Sequence, residues 1–363
     1  MRVSRERATL WGLLVVTSLC LGSAAAWAQA PAGGEQTVQA PLEPDVLLTE
    51  AERAEASKLL PLMNDAMRDQ PVPSDISVDL GYDFLKAQPG QVYVPFTLKL
   101  DPATVSQSIT LYVRLAPAGM MLPPPPPEPG APPAQPRAVE PQSFPFEDVH
   151  FIDMPIAADV YIVRRAFAVA AGSYDLYLGI KDSELVGTDS IEVRRAVVKR
   201  TVEVPDLWGG QLTTSSVIVT DRVEPIATPL SAEQQRADPY AIGSARIVPR
   251  DVLLYETTDT LSFLFFIYNP QLIENKPDVT VEYSFHQRTG DGEQFFNATS
   301  PQTLNAETLP PQFDMSTGHR LSAGQNVPLS AFPEGTYRLE IKVTDNTASA
   351  SIMRNVGFTV IAS

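Results

Sequence analysis

The side chains that most often hydrolyse substrates or bind metal ions are scarce in this chain. Its 363 residues contain one cysteine, Cys20, and three histidines, His150, His286 and His319. The histidines are far apart and lack the paired spacing of zinc ligands. The sequence also lacks a Gly-x-Ser-x-Gly elbow, a His-Glu-x-x-His pair, a phosphate-binding loop and a dinucleotide-binding loop. We therefore expect no catalytic residue, no bound metal ion and no cofactor, and we predict that the protein is not an enzyme.

Carboxylates are abundant, with 43 Asp and Glu residues, but no pattern marks a calcium or glycosidase site. Calcium needs about six to eight clustered oxygen ligands, and no Asp-x-Asp-x-Asp ladder occurs. A glycosidase uses two facing carboxylates, and the sequence leaves such a pair open without singling one out. We interpret the acidic groups near strand ends as turn formers: Asp182 with Glu184, Asp291 with Glu293, and Asp345 with Asn346.

The first thirty residues have the pattern of a secretory signal. Arginines precede an apolar stretch at 10–21, and two Ala-x-Ala sites end at Ala28 and Ala30. We predict a cleaved signal peptide over residues 1–30. The alternative is a lipoprotein modified on Cys20, although the bulky leucine before it disfavours lipid attachment.

An exported protein, periplasmic or extracellular, follows from this signal. The formal net charge of −16 argues against nucleic acid, and we expect no nucleic-acid partner, because an acidic surface repels phosphate backbones. No later stretch is long and apolar enough to span a membrane after cleavage. We expect the partner to be another envelope protein, and we expect no small-molecule ligand.

Three segments follow the signal before any strand. Residues 31–44 are small, polar and Pro-rich, which is typical of a disordered spacer. Residues 45–70 predict helix, because a capping box at Thr49 and Glu52 precedes an apolar stripe of helical period. Pro61 allows one kinked helix or two short ones. The stripe either packs on the neighbouring domain or forms an exposed docking helix.

From Ile76 onward the hydrophobic period changes from 3.6 to 2, which predicts antiparallel β-structure to the C-terminus. The expected strands are separated by Pro, Gly, Asp and Asn. They span residues 91–100, 108–115, 160–169, 173–180, 191–204, 211–219, 261–268, 279–286, 336–343 and 351–361. A further hairpin is expected to turn at residues 290–292.

An internal repeat predicts two copies of one domain. The segment GSYDLYLGIKD at 172–182 matches GTYRLEIKVTD at 335–345 in its spacing, and 94–102 matches 262–270 at a similar offset. Two domains of one type follow, at residues 74–205 and 207–363, with a boundary near 205–210. The predicted fold class is all-β: two tandem immunoglobulin/fibronectin-like antiparallel β-sandwiches, preceded by a signal peptide and a short helical segment.

The repeated segment contains four residues for which we predict a structural role: Gly172, Tyr174, Gly335 and Tyr337. Each glycine supplies a turn into a strand, and each tyrosine resembles the tyrosine of immunoglobulin-like sandwiches whose hydroxyl reaches back to the backbone. Alternate residues of the repeat are expected to face the core. The residues between them are expected to face solvent or a loop: Ser173, Asp175, Tyr177, Gly179 and Lys181 in the first copy.

These motifs together resemble uncharacterised exported proteins of acidobacterial type. They are similar to the C-terminal β-sandwich halves of von Willebrand A-type proteins, and less closely to GWxTD-domain proteins. The chain lacks the A domain with its Asp-x-Ser-x-Ser metal site and has no Gly-Trp-x-Thr-Asp motif, so the resemblance implies a sandwich fold and no metal site.

The first domain carries a Pro-rich insertion at 120–145 without a counterpart in the second. Such a tract favours polyproline II and docks readily into aromatic grooves, although a stiff spacer is the alternative. The candidate interaction residues are Met120, Met121, Leu122, Pro123, Pro124, Pro125, Pro126 and Pro127.

Composition and motifs thus favour a non-catalytic structural or protein-interaction module of the cell envelope. A carbohydrate-binding accessory module is the alternative, because β-sandwiches also serve that role. Sugar platforms need exposed aromatic rings, and Trp208 is the one tryptophan left after cleavage. A hydrolase without a recognisable motif is the third interpretation, since fold alone does not decide function.

Overall fold

A computed structural model of the protein describes residues 48–124, 143–156, 158–185, 192–228 and 230–363. The expected signal peptide and spacer, and residues 125–142 of the Pro-rich insertion, lie outside these residues. The helices are α1 (Glu50–Ser57), α2 (Leu60–Ala66) and α3 (Ala232–Ala237), and a single 3₁₀ turn spans Met315–Thr317.

The strands of the first half of the chain are β1 (Val78–Tyr82), β2 (Leu85–Lys86), β3 (Val92–Leu100), β4 (Ser108–Pro117), β5 (Phe146–Asp153), β6 (Tyr161–Val169), β7 (Gly172–Asp182) and β8 (Arg195–Val204). Those of the second half are β9 (Thr213–Thr214), β10 (Ile218–Pro225), β11 (Ala241–Ile242), β12 (Ala245–Pro249), β13 (Leu254–Glu256), β14 (Thr260–Tyr268), β15 (Leu272–Ile273), β16 (Lys276–Pro277), β17 (Val279–Thr289), β18 (Gly292–Ala298), β19 (Gln302–Leu304), β20 (Leu321–Pro328), β21 (Gly335–Asp345) and β22 (Ala350–Ile361).

The N-terminal sandwich consists of two antiparallel sheets. Sheet 1 has the order β5-β4-β7-β8. Sheet 2 is centred on β3, which pairs with β6 along one edge and with β1 and then β2 along the other. The inward faces of these sheets enclose one hydrophobic core, in which Phe96, Leu111 and Leu178 are fully buried.

The C-terminal sandwich repeats this arrangement. Sheet 3 has the order β11-β12-β10-β14-β20, with β9 also on β14, and sheet 4 has the order β13-β22-β21-β17-β18, with β19 on β17. The short β13 runs parallel to β22, whereas the other named strand pairs are antiparallel. A second core, which includes Phe263, Phe285 and Tyr337, lies between these sheets. The predicted all-β fold of tandem immunoglobulin-like sandwiches is confirmed.

The two sandwiches are stacked face to face and not strung along a linker. The outer face of sheet 2 meets the outer face of sheet 3 through a third apolar cluster, which joins Tyr93 and Ala166 to Ile218, Tyr240 and Leu264. The outer face of sheet 1 is covered by α1 and α2 through a fourth cluster. The order of the layers is therefore the α1–α2 helical segment, sheet 1, sheet 2, sheet 3 and sheet 4.

Burial along single strands follows this layer order. Eight of the nine residues of β3, an inner strand, are buried, including residues on both faces. The outer strand β22 instead alternates between partly buried and exposed residues over its first eight positions. Sheet 4 thus keeps one face toward solvent, as is usual for antiparallel sheets.

The layer order corrects one sequence expectation. The residues of β7 that should have faced solvent or a loop include three that are almost completely buried: Asp175, Tyr177 and Lys181. Tyr177 and Lys181 lie under the helical segment, which covers this part of sheet 1. Asp175 instead accepts from the Gly119 N–H and the Thr201 hydroxyl. In the second copy none of the described helices covers the equivalent face, and Thr336 and Lys342 are exposed as expected.

Several strand limits also differ from those expected. The run at 191–204 forms a strand only from Arg195, and the run at 211–219 is divided into β9 and β10. Between β9 and β10, Ser215 and Ser216 bond to Phe266 and to Phe84 of the other sandwich, which interrupts the strand. The period-2 region is also broken by α3, which begins at a capping box on Ser231.

Candidate functional site

Residues 120–124 are the described part of the candidate interaction segment, and they lie beside the C-terminal end of α2. The backbone N–H of Leu122 donates to the Met67 carbonyl at 3.2 Å, and Arg68 Nε donates to the Pro123 carbonyl at 2.9 Å. Met120 and Leu122 pack against the helix stripe, whereas Met121 is 63% exposed. Pro124 is described without such a bond, and Pro125, Pro126 and Pro127 lie outside the described residues.

The far end of the insertion is fixed on the same surface. Phe144 packs with the helix stripe, and the Arg114 guanidinium lies 4.3 Å from its ring centroid. Arg114 donates to Asn64 Oδ1 of α2 at 2.9 Å and to Glu147 Oε1 of β5 at 2.7 Å. Both ends of the insertion are therefore attached to the helical segment and sheet 1. We call residues 120–145, with these attached ends, the arm.

The helical segment is itself held by close packing. Pro61 divides it into two short helices, one of the two forms that the sequence allowed. The side chains of Leu59, Met63 and Met67 are buried against sheet 1. Gly179 of β7 makes room for this contact, because a Cβ there would lie 2.8 Å from Met63 Sδ.

A buried ion network adds to this packing. Glu55 of α1 and Lys181 of β7 form an ion pair at 2.5 Å, with exposed side-chain fractions of 2% and 0%. Glu184 accepts from Lys181 at 2.8 Å and from Lys58 at 2.7 Å. Burial alone would raise the pKa of Glu55, but its hydrogen bonds from Lys181 and the Glu184 N–H outweigh burial and lower it. Lys181 and Lys58 lower the pKa of Glu184 to about 2.

The four structural residues of the repeat lie in the two separate sandwiches. The Tyr174 hydroxyl donates to the Ala170 carbonyl at 3.1 Å, and the Tyr337 hydroxyl donates to the Pro333 carbonyl at 2.6 Å. Gly172 and Gly335 have φ values of 157° and 152°, a region that residues with a Cβ rarely adopt. These residues shape two equivalent turns and do not meet at a common site.

The contact between the sandwiches, which we call the joint, holds Trp208. Its Nε1 donates to the Gln91 carbonyl at 2.7 Å, and Lys86 Nζ lies 4.2 Å from the ring centroid. The indole is thus tied on one edge and covered on one face. Across the joint, Nη2 of Arg164 donates to both carboxylate oxygens of Asp251, each at 2.7 Å.

A partly buried carboxyl, that of Asp83, lies within the joint. The Tyr240 hydroxyl donates to Asp83 Oδ2 at 2.7 Å, and Ser216 Oγ accepts from the neighbouring Phe84 N–H at 2.9 Å. Burial raises the pKa of Asp83, and the hydrogen bonds from Tyr240 and Ser216 offset only part of this effect.

A second polar cluster, which we call the seam, was missed by sequence reasoning. It consists of Asp148 and His150 of β5, Arg165 of β6, and Arg236 of α3. Burial and the two nearby guanidiniums hold the pKa of His150 well below its usual range. The sequence signal is Arg165, a charged residue at a core-facing position of the predicted strand 160–169. Asp148 and His150 gave no such signal, because β5 was not among the predicted strands.

The acidic turn residues hold backbone N–H groups. Asp182 Oδ1 accepts from Ser106 at 2.7 Å and its Oδ2 from Arg194 Nε at 2.9 Å. The equivalent Asp345 of the repeat accepts from the N–H groups of Gln271, Thr347 and Ala348. Glu293 pairs with two arginines on sheet 4. Within the described ranges no three His, Cys, Asp or Glu residues group as metal ligands.

The other histidines are separate from the seam. His286 packs edge-on against the exposed Phe295 ring at a centroid distance of 5.9 Å. His319 Nδ1 accepts from the Asp314 N–H at 2.9 Å. In the part of the chain that the structure covers, no helix is long and apolar enough to cross a membrane.

Comparison with known proteins gives only remote structural similarities. No family model and no curated protein matches the sequence. An immunoglobulin-like protein from Pseudomonas aeruginosa is 12% identical, with 40% of this chain and 97% of that chain covered and a TM-score of 0.20. A DUF4785 family protein from Legionella pneumophila is 9% identical, with 79% and 57% covered and a TM-score of 0.23.

A third solved structure is the trypsin-activated alpha-2-macroglobulin from Escherichia coli. It is 12% identical, with 80% of this chain and 17% of that chain covered and a TM-score of 0.22.

Proposed function

We propose that the protein is a non-catalytic, exported module of the cell envelope that engages another protein through the arm (120–145). The observation that carries this proposal is the attachment of both ends of the arm. Leu122 and Pro123 bond to Met67 and Arg68, directly after α2, at one end, and Phe144 stacks under Arg114 at the other. The arm is therefore presented from a fixed place on the helix-covered end of the stack.

The composition of the arm suits recognition by an aromatic-lined groove. A Pro-rich segment loses little conformational entropy when it binds, because proline already restricts it to an extended form. Fixed ends reduce that loss further. Met121 adds one exposed, flexible apolar side chain beside the first proline, a type of residue that adapts to a partner surface.

The stacked layers supply a rigid support for such an arm. Sheets 1, 2 and 3 are each covered on both faces, and the joint adds an Arg164–Asp251 ion pair to its apolar cluster. A contact made at the arm is thereby fixed relative to the surface of sheet 4, at the other end of the stack. This geometry supports a structural or scaffolding role.

The test is crosslinking in intact cells of the native organism. The full chain is compared with a variant in which residues 125–142 are replaced by a Gly/Ser linker of equal length. Both anchored ends remain in this variant, so we expect unchanged thermal unfolding and the loss of at least one crosslinked envelope protein. Met121→Ser should weaken the same crosslink.

Phe295→Ser is the matched control, because Phe295 is exposed to a similar degree, 65%, but lies on sheet 4. It should leave the crosslinked proteins unchanged. If the linker variant retains the same crosslinked proteins as the native chain, the arm does not engage a partner and the proposal is wrong.

A further inference from the structure

The seam places charged side chains where the N-terminal sandwich should have core residues. Asp148 and His150 lie on the inward-facing side of β5, and Arg165 lies on that side of β6. Their neighbours at alternate positions pack against the core, as strand geometry requires: Phe146, Ile152, Val163 and Phe167. β5 and β6 are edge strands of sheets 1 and 2, so the seam runs along an open side of the sandwich.

The C-terminal sandwich completes the seam. The short helix α3 lies against β6, and Arg236 in its last turn forms an ion pair with Asp148 Oδ2. The other oxygen of Asp148 accepts from the Val149 N–H at 2.8 Å. Each carboxylate oxygen therefore has a donor already, and α3 closes the seam from the opposite sandwich.

The donors of the seam outnumber its acceptors. His150 is 9% exposed, and its Nε2 makes no hydrogen bond within the described residues. This atom lies 3.4 Å from Asp148 Oδ2 without forming a hydrogen bond to it. Arg165 donates from Nη1 to the carbonyl of the preceding residue, Arg164, at 2.7 Å.

The charges of the seam are unbalanced as well. Two guanidiniums face one carboxylate, and the imidazole of His150 is neutral at pH 7, so the four side chains carry one excess positive charge. Burial, together with the charge of Arg236, also lowers the pKa of Arg165. A single negative charge with acceptor atoms would balance the excess charge, and it would also accept from Nε2 when the neutral His150 ring carries its proton on that nitrogen.

We propose that the seam binds a carboxylate group, which accepts from the Arg165 guanidinium and from Nε2 of His150. A carboxylate carries one negative charge and two acceptor oxygens in the plane that guanidinium recognises. Arg236, which is paired with Asp148, adds the electrostatic attraction of its positive charge to the bound carboxylate. The carboxylate belongs either to a small organic acid or to a peptide end of a partner. This site is independent of the arm and of the function proposed for it.

The test uses the histidine ring signals of the full chain in ¹H–¹³C NMR spectra. His150 is assigned with the double variant His286→Gln/His319→Gln, which leaves it as the one histidine of the chain. Sodium acetate is titrated against sodium chloride at matched ionic strength. A short peptide with a free C-terminal carboxylate is then compared with its amidated form.

We expect a saturable shift of the His150 signals with acetate, or with the free-carboxylate peptide but not its amide. A bound anion should also raise the pKa of His150. Saturation by acetate identifies a small-acid site, and saturation by the peptide alone identifies a peptide-end site. Either result supports the proposal. Equal shifts with chloride, equal binding of the amide, or no shift with any carboxylate would overturn it.

Arg165→Gln should weaken binding by about tenfold or more, the usual effect of losing a charge-assisted hydrogen bond. If it does not fold, Arg165→Lys keeps the charge without the planar fork and should weaken binding by a smaller factor. Arg200→Gln is the matched control, because Arg200 makes a similar bond to the preceding carbonyl but is exposed. Unchanged affinity in the folded Arg165 variant would exclude the assigned role.

Discussion

Met63 of α2 occupies the space in front of Gly179 of β7, so that a Cβ on this glycine would lie 2.8 Å from the Met63 sulfur. The same Cβ would lie 3.5 Å from Leu59 Cδ2. The helical segment therefore lies closer to sheet 1 than a side chain at this strand position would allow.

Gly179→Val should loosen the helical segment. Overpacking at a buried contact costs about 1 to 3 kcal/mol of unfolding free energy, and denaturant unfolding measures it. Gly81→Val is the control, because a Cβ on Gly81 of β1 meets no atom within 4 Å. Equal stability of the two variants would show that α2 adjusts without loss.

Glu55→Gln should destabilise the protein strongly. It leaves Lys181 buried without its principal carboxylate, and breaking a buried ion pair from one side costs about 3 kcal/mol or more. The double variant Glu55→Leu with Lys181→Met should recover most of this loss in urea unfolding, because no buried charge remains.

Glu282→Gln provides the exposed comparison for that pair. Glu282 and Lys342 form an ion pair at 2.9 Å with both side chains 48% exposed. Such a pair contributes less than about 1 kcal/mol. A loss in Glu55→Gln no larger than in Glu282→Gln would contradict the buried network.

The two repeated tyrosines should differ in their sensitivity to removal of the hydroxyl. Tyr337→Phe strands the Pro333 carbonyl beside a fully buried ring and should cost about 1 to 3 kcal/mol. Tyr174→Phe should cost less, because Tyr174 is only half-buried and its bond is longer. Thermal unfolding of both variants measures the difference, and a larger loss for Tyr174→Phe would reverse the assignment.

Acid should weaken the network through Glu184. The pKa of this carboxyl falls from 4.5 to about 2 on folding, so its stabilisation is complete above pH 4.5 and is lost as the pH falls toward about 2. Glu184→Gln should therefore lose less stability than the native chain between about pH 5 and about pH 3. Parallel losses in urea midpoints would show that Glu184 does not contribute.

Local sequence pattern predicted the outer strands better than the inner layers. The alternation of β21 and β22 places their residues correctly, because one face of sheet 4 is open to solvent. The same rule fails for Tyr177 and Lys181 of β7, since the helical segment, a separate part of the chain, covers their face. A repeat shows which strands are equivalent, but it does not show what lies on top of each.

The stacking of the two sandwiches is indicated by one feature of the sequence. The run VYVPFTLKL of β3 is nearly continuous in apolar residues, which indicates a strand buried on both faces. By contrast, the seam depends on α3, a six-residue helix inside a loop of the second sandwich. Arg236 and Asp148 are 88 positions apart in the chain. The local hydrophobic period of the sequence therefore does not predict their contact.

Burial of β3 on both faces constrains the order in which a growing chain completes its fold. All strands of the N-terminal sandwich are present once Val204 has been synthesised, but Tyr93 and Ala166 on the outer face of sheet 2 then have no cover. The residues that pack over them include Ile218, Tyr240 and Leu264, which are synthesised later. Until then the half-made protein exposes an apolar sheet face, the type of surface that aggregates or recruits chaperones.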